Sequence, residues 1–573
     1  MPGIFGIISN RPKEINVEEL NAMSNLLHME PFYRKGDGVF AEAGVYAGWT
    51  CHEGSFSDCM PVFNEKKDIT LLYSGENFKD IEEIDELKGR NHSFNKRSAS
   101  YLVHMYEEWG EDFLTMLNGR FHGLLIDQRT GETILFSDRY GLHRLYYYEG
   151  KDAFYFSTEA KAILGILPPE SRGIDISGLS EFFTYNCVLD HRTLFKNVFA
   201  LPGGSSWFFS RSGEINKKDY FRPSELETQT LLEKEFHYER LVYTLQKLLK
   251  RYFKAEDQIG VFLSKDPGVR IILANALYGP EKVPGYTFSG PDRNREDLQI
   301  AQRIVEATGQ ALHLIDLDRK FLKEYPRLAQ KAVSVSDGAM DITGACELYL
   351  DERVREIAPV QVSGIYGGAV LKKERLVHQS NLDRKLFDHE FQNMMSEVGT
   401  QYTELSSDGL TFNLSRGIPW TVFGNLSVDQ SQMMIRTPLL DNDLVDLMCR
   451  ALDDVMEGDQ TLLRLVRDGN PVLAEKTASA PKGVLSSLMG LFQRRNRRTR
   501  SPYPGAWYAN ELSGYVQEIL LDKRSLERPY INKPWVENMI KDHMQCRGDY
   551  GKEITAALTA ELVHRFFMDR PHA

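Results

Sequence analysis

The run from Ile259 to Leu273, Ile-Gly-Val-Phe-Leu-Ser-Lys-Asp-Pro-Gly-Val-Arg-Ile-Ile-Leu, restricts the fold more than any other stretch. An apolar run, a cluster of turn formers and a second apolar run predict a strand, a tight loop and a helix. Such a unit belongs to an open α/β sheet, where ligands bind beyond the carboxyl ends of the strands. A helix N-terminus there offers unpaired N–H groups and a positive dipole end to a phosphate. This loop is poorly composed for that task. Pro267 has no N–H to give. Gly268 alone allows close backbone approach, and Asp266 puts a negative charge where a phosphate would lie. The architecture predicts a nucleotide site, and its residues oppose one.

The surrounding chain agrees with the architecture. A helix over 231–253 precedes strand 259–263, helix 269–278, strand 283–288, helix 297–308 and strand 311–315, the order of a doubly wound parallel sheet. A further helix over 345–357 leads to a strand at 360–362, and mostly helix is expected after about 375. Residues 1 to about 210 have a different texture, with short alternating runs between turn formers that predict a β-rich layered domain with a few helices.

At 573 residues the chain is too long for one core, and two or three domains are expected. With 42% hydrophobic and 26% charged residues it has the composition of an ordinary globular protein. No apolar run reaches the ~20 residues that span a bilayer. The start, Met1-Pro2-Gly3-Ile4-Phe5, lacks the basic region and cleavage site of a signal peptide. A net charge of −12 speaks against nucleic acid or a membrane surface as partner. The local exception, Arg494-Arg495-Asn496-Arg497-Arg498-Thr499-Arg500, reads as a solvated basic loop. Six scattered cysteines (Cys51, Cys59, Cys187, Cys346, Cys449, Cys546) form neither a disulfide framework nor a metal-ligand pattern, and are expected as reduced thiols in the cytoplasm. The histidines form no His-Glu-x-x-His helix, so no metal is expected.

Ordered landmarks then carry a family resemblance. They are Met1-Pro2-Gly3-Ile4-Phe5-Gly6, Leu117-Asn118-Gly119-Arg120-Phe121, Ser137-Asp138-Arg139-Tyr140-Gly141 with Tyr146-Tyr147, Phe156-Ser157-Thr158-Glu159-Ala160-Lys161-Ala162, Leu201-Pro202-Gly203-Gly204 and Arg436-Thr437-Pro438-Leu439-Leu440-Asp441. Over nearly its whole length the sequence resembles the glutamine-hydrolysing asparagine synthetases. The resemblance implies a class II glutaminase-like domain over 1–210, an α+β four-layer αββα sandwich of the N-terminal-nucleophile-hydrolase kind. It implies an ATP-pyrophosphatase-like α/β doubly wound parallel sheet over 211–375, and a helical remainder of that domain over 376–573. A shared fold does not imply a shared activity.

The resemblance also exposes what is missing. The family's nucleophile is an N-terminal cysteine whose own α-amine is the base, and that position is Pro2. The family's Asn-Gly-Glu is Ser74-Gly75-Glu76, which removes the amide that helps hold the oxyanion and leaves Gly75 and Glu76 as remnants of the glutamine pocket. Its Ser-Asp, which pairs with the substrate ammonium, is Ser98-Ala99, and the carboxylate-gripping arginine has no clear counterpart near Cys51-His52-Glu53. If Met1 is removed, Pro2 exposes a secondary amine able to act as base or imine-forming nucleophile; otherwise the proline merely starts the first strand.

In the synthetase half the family's Ser-Gly-Gly-x-Asp-Ser is Ser264-Lys265-Asp266-Pro267-Gly268-Val269. Its Ser-Gly-Glu-Gly-Ala-Asp-Glu is Ser363-Gly364-Ile365-Tyr366-Gly367-Gly368-Ala369, where Ile365, Gly368 and Ala369 cannot ligate a hard cation. A family lysine aligns with Gln460, with Lys482 as a possible substitute. Ser264, Lys265, Ser289, Ser363 and Gly364 are the remnants of the nucleotide pocket.

Framework residues match while chemical residues do not, so the expectation is an asparagine synthetase-like pseudoenzyme, with neither glutaminase nor synthetase activity, retained for binding or assembly. Two alternatives stand beside it. One is an ATP-dependent amide-forming ligase with relocated site residues and an ammonia or amine donor. The other is a small-molecule sensor. No cofactor is expected, with ATP and Mg required only by the ligase. A protein partner or a homodimer is the expected association.

Overall fold

The computed structural model describes residues 1–573 except 277, 278, 280, 281, 290–294, 406–408, 453, 454, 456–458, 478–504 and 570–573. The basic run 494–500 and Lys482 lie outside the described residues.

Two antiparallel six-stranded sheets build the first part of the chain. In the first, β1 (Gly3–Ile8) lies between β3 (Val45–His52) and β9 (Phe154–Ser157). The order is completed by β2 (Tyr33–Phe40) on one edge and by β8 (Tyr146–Glu149) and β10 (Phe199–Ala200) on the other. The second sheet contains, in spatial order, β12 (Ile215–Asp219), β11 (Ser205–Phe209), β7 (Glu132–Ser137), β6 (Phe121–Asp127), β5 (Ile69–Gly75) and β4 (Val62–Phe63).

The apolar run that opens the chain forms a central strand because both of its faces are covered. Ile4 packs with Leu72, Leu124 and Leu135 between the two sheets, while Phe5 and Ile7 join Leu20 and Met23 of α1 (Lys13–Leu26). Strands buried on both sides read as continuous apolar runs. Helix α1 packs with α4 (Ala160–Ile166) outside the first sheet. Outside the second lie α2 (Ile81–Gly89) and α3 (Leu102–Trp109), whose Leu102, Val103 and Met105 face Leu71, Tyr73 and Leu125. The result is the αββα sandwich.

Beyond α5 (Ile176–Tyr185) and the amphipathic α6 (Lys234–Tyr252) comes the parallel sheet, in the order β15 (Leu312–Asp316), β14 (Gly285–Ser289), β13 (Ile259–Phe262), β16 (Val360–Val362) and β17 (Met434–Arg436). Its crossovers are α7 (Pro267–Asn275), α8 (Arg295–Thr308), and α9 (Arg319–Val335) with α10 (Gly344–Val354). The chain winds outward from β13 in both directions, so the reversal lies between β13 and β16. Strand β17 falls in the stretch expected to be mostly helix. At three residues it is too short to show a period, and it is held by parallel pairing to β16, with Val360 opposite Met434 and Val362 opposite Arg436. The described remainder is helical. No described helix is long and apolar enough to cross a membrane.

Candidate functional site

The parallel-sheet site comes first because its parts are close together. Ser264, Ser289 and Ser363-Gly364 all follow or end strands β13, β14 and β16, at the carboxyl edge where such sheets bind ligands. Asp266 is the N-cap of α7, and its carboxylate accepts the Gly268 N–H at 2.7 Å. The Lys265 N–H goes to Asp297 at 3.2 Å, and the Lys265 side chain points to solvent. Gly364 covers the start of α7, where a Cβ on Gly268 would lie 2.1 Å from the Gly364 carbonyl oxygen. Ser289 donates to Asp316, and Ser363 Oγ accepts the Ile365 N–H at 3.3 Å.

Two carboxylates crowd this edge. A Cβ on Gly368 would lie 2.2 Å from Glu374 Oε2. Burial raises the Asp266 carboxyl, and Glu374 adds to the shift against Gly268 and Arg270. The Gly268 and Lys265 N–H groups are taken up by Asp266 and Asp297, and the charge at this edge is mixed, with Arg270 and Lys372 near the carboxylates. Gln460 begins a helix over Gln460–Gly469 whose Arg464 pairs with Glu235 at 2.8 Å, and Lys372 reaches the neighbouring Asp459 at 2.7 Å.

The second site is a cavity of about 70 Å³ between the sandwich and β17. It brings Pro2 together with the distant run Ser74-Gly75-Glu76. Ala99 is not among them. It lies in the outer core under α3, with its N–H on Phe56 O at 2.8 Å.

Pro2 sits at the cavity wall behind a sealed N-terminus. The Met1 amine pairs with the buried Glu159 carboxylate and donates to His28 O at 3.2 Å, and Lys161 reaches Glu159 at 2.5 Å. Burial alone would raise the Glu159 carboxyl, but Lys161 and the Met1 amine hold it below its ordinary value. With Met1 in place the Pro2 nitrogen is a tertiary amide, neither base nor nucleophile.

Ser74, at the position of the lost oxyanion amide, bonds His143 Nε2 at 2.8 Å. His143 Nδ1 receives the Gln430 amide N–H at 3.2 Å, which puts the ring proton on Nε2, directed at Ser74 Oγ. A histidine that donates to a serine provides it no base. Burial, with His122 and Arg120 adding to it, pushes His143 well below its ordinary value, so the ring is neutral. Its loop is shaped by Asp138, whose buried carboxylate accepts N–H groups of Tyr140, Leu142 and His143 at 2.8–3.1 Å. His143 and Gln430 are site residues that the sequence reading missed, because they come from a loop and a helix end 287 residues apart.

Glu76 is not free. Arg436 grips it through Nε, at 3.1 Å from each oxygen, and through Nη2 at 2.7 Å. Arg120 is another cation at the cavity. It is 8% exposed, its Nη2 donates to Ile435 O, and Nη1 lacks a hydrogen-bond partner among the described residues. Arg120 sits inside a landmark motif that the sequence presents as framework, which hid its place at the cavity. Alongside it, Asn118 Nδ2 donates to Asp441 at 2.9 Å, and Asn442 N donates to Asn118 Oδ1 at 3.0 Å. The 117–121 and 436–441 landmarks therefore dock on each other.

The fold is an antiparallel αββα sandwich joined to a doubly wound parallel sheet, with this cavity between the sandwich and β17. Residues 1–221 match the glutamine amidotransferase domain family. Asparagine synthetase [glutamine-hydrolyzing] 1 of Bacillus subtilis is 19% identical over 643 aligned residues, covering 100% of this chain and 97% of its own. Asparagine synthetase [glutamine-hydrolyzing] 3 of the same organism is 26% identical, covering 52% of this chain and 51% of its own. Among solved structures, the glutamine phosphoribosylpyrophosphate amidotransferase of B. subtilis overlaps 55% of this chain and 65% of its own at 14% identity, with a TM-score of 0.26. Residues 1–221 are thus similar to the glutamine amidotransferase domain family, and the chain over its whole length is similar to the glutamine-hydrolysing asparagine synthetases.

Proposed function

We propose that this asparagine synthetase-like chain is a cytoplasmic pseudoenzyme, without glutaminase or ATP-dependent synthetase activity, retained for binding. The observation that carries the reading is Pro2 on the cavity wall, where family members need a thiolate. Among the described residues of the cavity no other group takes over the role. His143 donates to Ser74, and Cys51 Sγ lies 3.8 Å from Asp58 Oδ1 with burial pushing its thiol up to about 12. Amide hydrolysis by acyl transfer needs an activated nucleophile and an oxyanion donor. The parallel-sheet edge supports the second half of the reading, with Asp266 and Glu374 at the place of a phosphate.

The cavity itself remains as a small volume partly lined by polar and charged groups. Arg120, with an unmatched Nη1, favours a ligand bearing a carboxylate or another anionic group. The six free cysteines are in keeping with a reducing compartment.

The test uses purified full-length chain. With glutamine, glutamate release is expected to equal that of a Pro2→Ala variant. With ATP, Mg, aspartate and ammonia, no pyrophosphate is expected. Release above either control overturns the corresponding half of the reading.

A further inference from the structure

A second polar cluster lies far from the cavity, on the outer helical layer of the sandwich. Glu65 comes from the β4–β5 turn, His92 from the loop after α2, and His104 and Glu107 from one face of α3. Their ligand atoms all lie within 4.8 Å of one another. His104 Nδ1 is 3.4 Å from Glu65 Oε2 and 3.7 Å from Glu107 Oε2, and His92 Nδ1 is 3.5 Å from Glu65 Oε1 and 3.9 Å from Glu107 Oε2. A tetrahedron with metal–ligand bonds of ~2.0–2.2 Å has edges of roughly 3.3–3.6 Å. The four separations, which involve both Glu65 oxygens, run from 3.4 to 3.9 Å, and the four ligand atoms lie within 4.8 Å, so a small inward shift of the side chains brings them to such a site.

Two of these atoms, His104 Nδ1 and Glu107 Oε2, are buried without a hydrogen-bond partner among the described residues, and His104 is only 3% exposed. A buried imidazole nitrogen facing two carboxylates needs either a proton of its own or a cation between them. The remaining atoms are already oriented as ligand supports. His92 Nε2 bonds Glu108 at 2.9 Å, Asn64 Nδ2 donates to Glu107 Oε1 at 3.1 Å, and Ser93 N donates to Glu65 Oε1 at 3.2 Å.

We infer that Glu65, His92, His104 and Glu107 form a four-coordinate site for a divalent transition metal of the zinc class. Two neutral imidazoles and two carboxylates balance a doubly charged ion. Nitrogen donors disfavour magnesium and calcium. Four protein ligands leave no open position, so the ion is structural and ties the β4–β5 turn and the loop after α2 onto α3. Glu65, with its side chain 46% exposed, gives the ion a way in.

The test is metal titration of untagged full-length chain stripped with chelator. One Zn²⁺ per chain is expected, with a rise in melting temperature, and Co²⁺ in its place should give the intense visible absorption of a tetrahedral centre. Glu65→Gln, an exposed change that leaves the core intact, should weaken Zn²⁺ at least tenfold, and His104→Ala at least a hundredfold. Two results overturn the site. One is Zn²⁺ bound equally well by the parent and by Glu65→Gln. The other is no metal uptake at all, which would leave a protonated charge cluster only.

Discussion

Arg436 and Glu76 form a two-pronged ion pair that joins the end of the parallel sheet to the wall of the cavity. Arg436 also donates to Tyr252 O at 2.7 Å and Lys254 O at 3.0 Å, so each guanidinium nitrogen has an acceptor. The side chains are 8% and 18% exposed. A residue that sequence comparison places in a substrate pocket is thus committed to holding the two halves together.

Removing one partner leaves the other charge stranded, which costs ~3 kcal/mol or more in buried pairs. Arg436→Ala should lower the urea midpoint strongly. Glu76→Gln should lower it less, since the amide oxygen of the new side chain still accepts a hydrogen bond. The double variant should cost less than the sum of the two. Strict additivity would show that the pair is not coupled.

Restoring sulfur should not restore chemistry. In Pro2→Cys the thiol would face Ser74 in place of the oxyanion amide, and loss of one such donor costs ~10²–10³ in kcat. Glutamate release by Pro2→Cys is expected at background. Robust turnover would mean that the pocket is otherwise competent.

Stability should carry the mark of Asp337. Burial first, and Glu159 second, push its carboxyl up to about 7. The native state therefore keeps a proton that the unfolded chain, with a carboxyl near ~3.9, releases earlier. This group's contribution is complete below ~pH 4 and is lost as the pH rises to about 7, at up to ~1.4 kcal/mol per pH unit. Asp337→Asn should gain stability relative to the parent between roughly pH 5 and pH 8, read as the difference in urea midpoints. Parallel profiles for the two proteins would remove Asp337 as a source of pH dependence.

The strand, turn and helix at 259–273 were legible because each has its own period and punctuation. The landmark motifs were legible because they are contiguous. What the sequence hid is what folding assembles from afar. Gln430 reaches His143, Ile435 meets Arg120, and two short segments converge on His104, none with a spacing that signals the encounter. Ala99 shows the reverse case, a motif position that the fold buries in the outer core away from the cavity.

The most direct test of the account is calorimetric titration of the full-length chain with Mg·ATP. Asp266 capping α7 through Gly268, with Glu374 beside it, predicts no binding below millimolar concentration. Micromolar affinity would contradict the account, because it would require that edge to present donors and positive charge to a triphosphate.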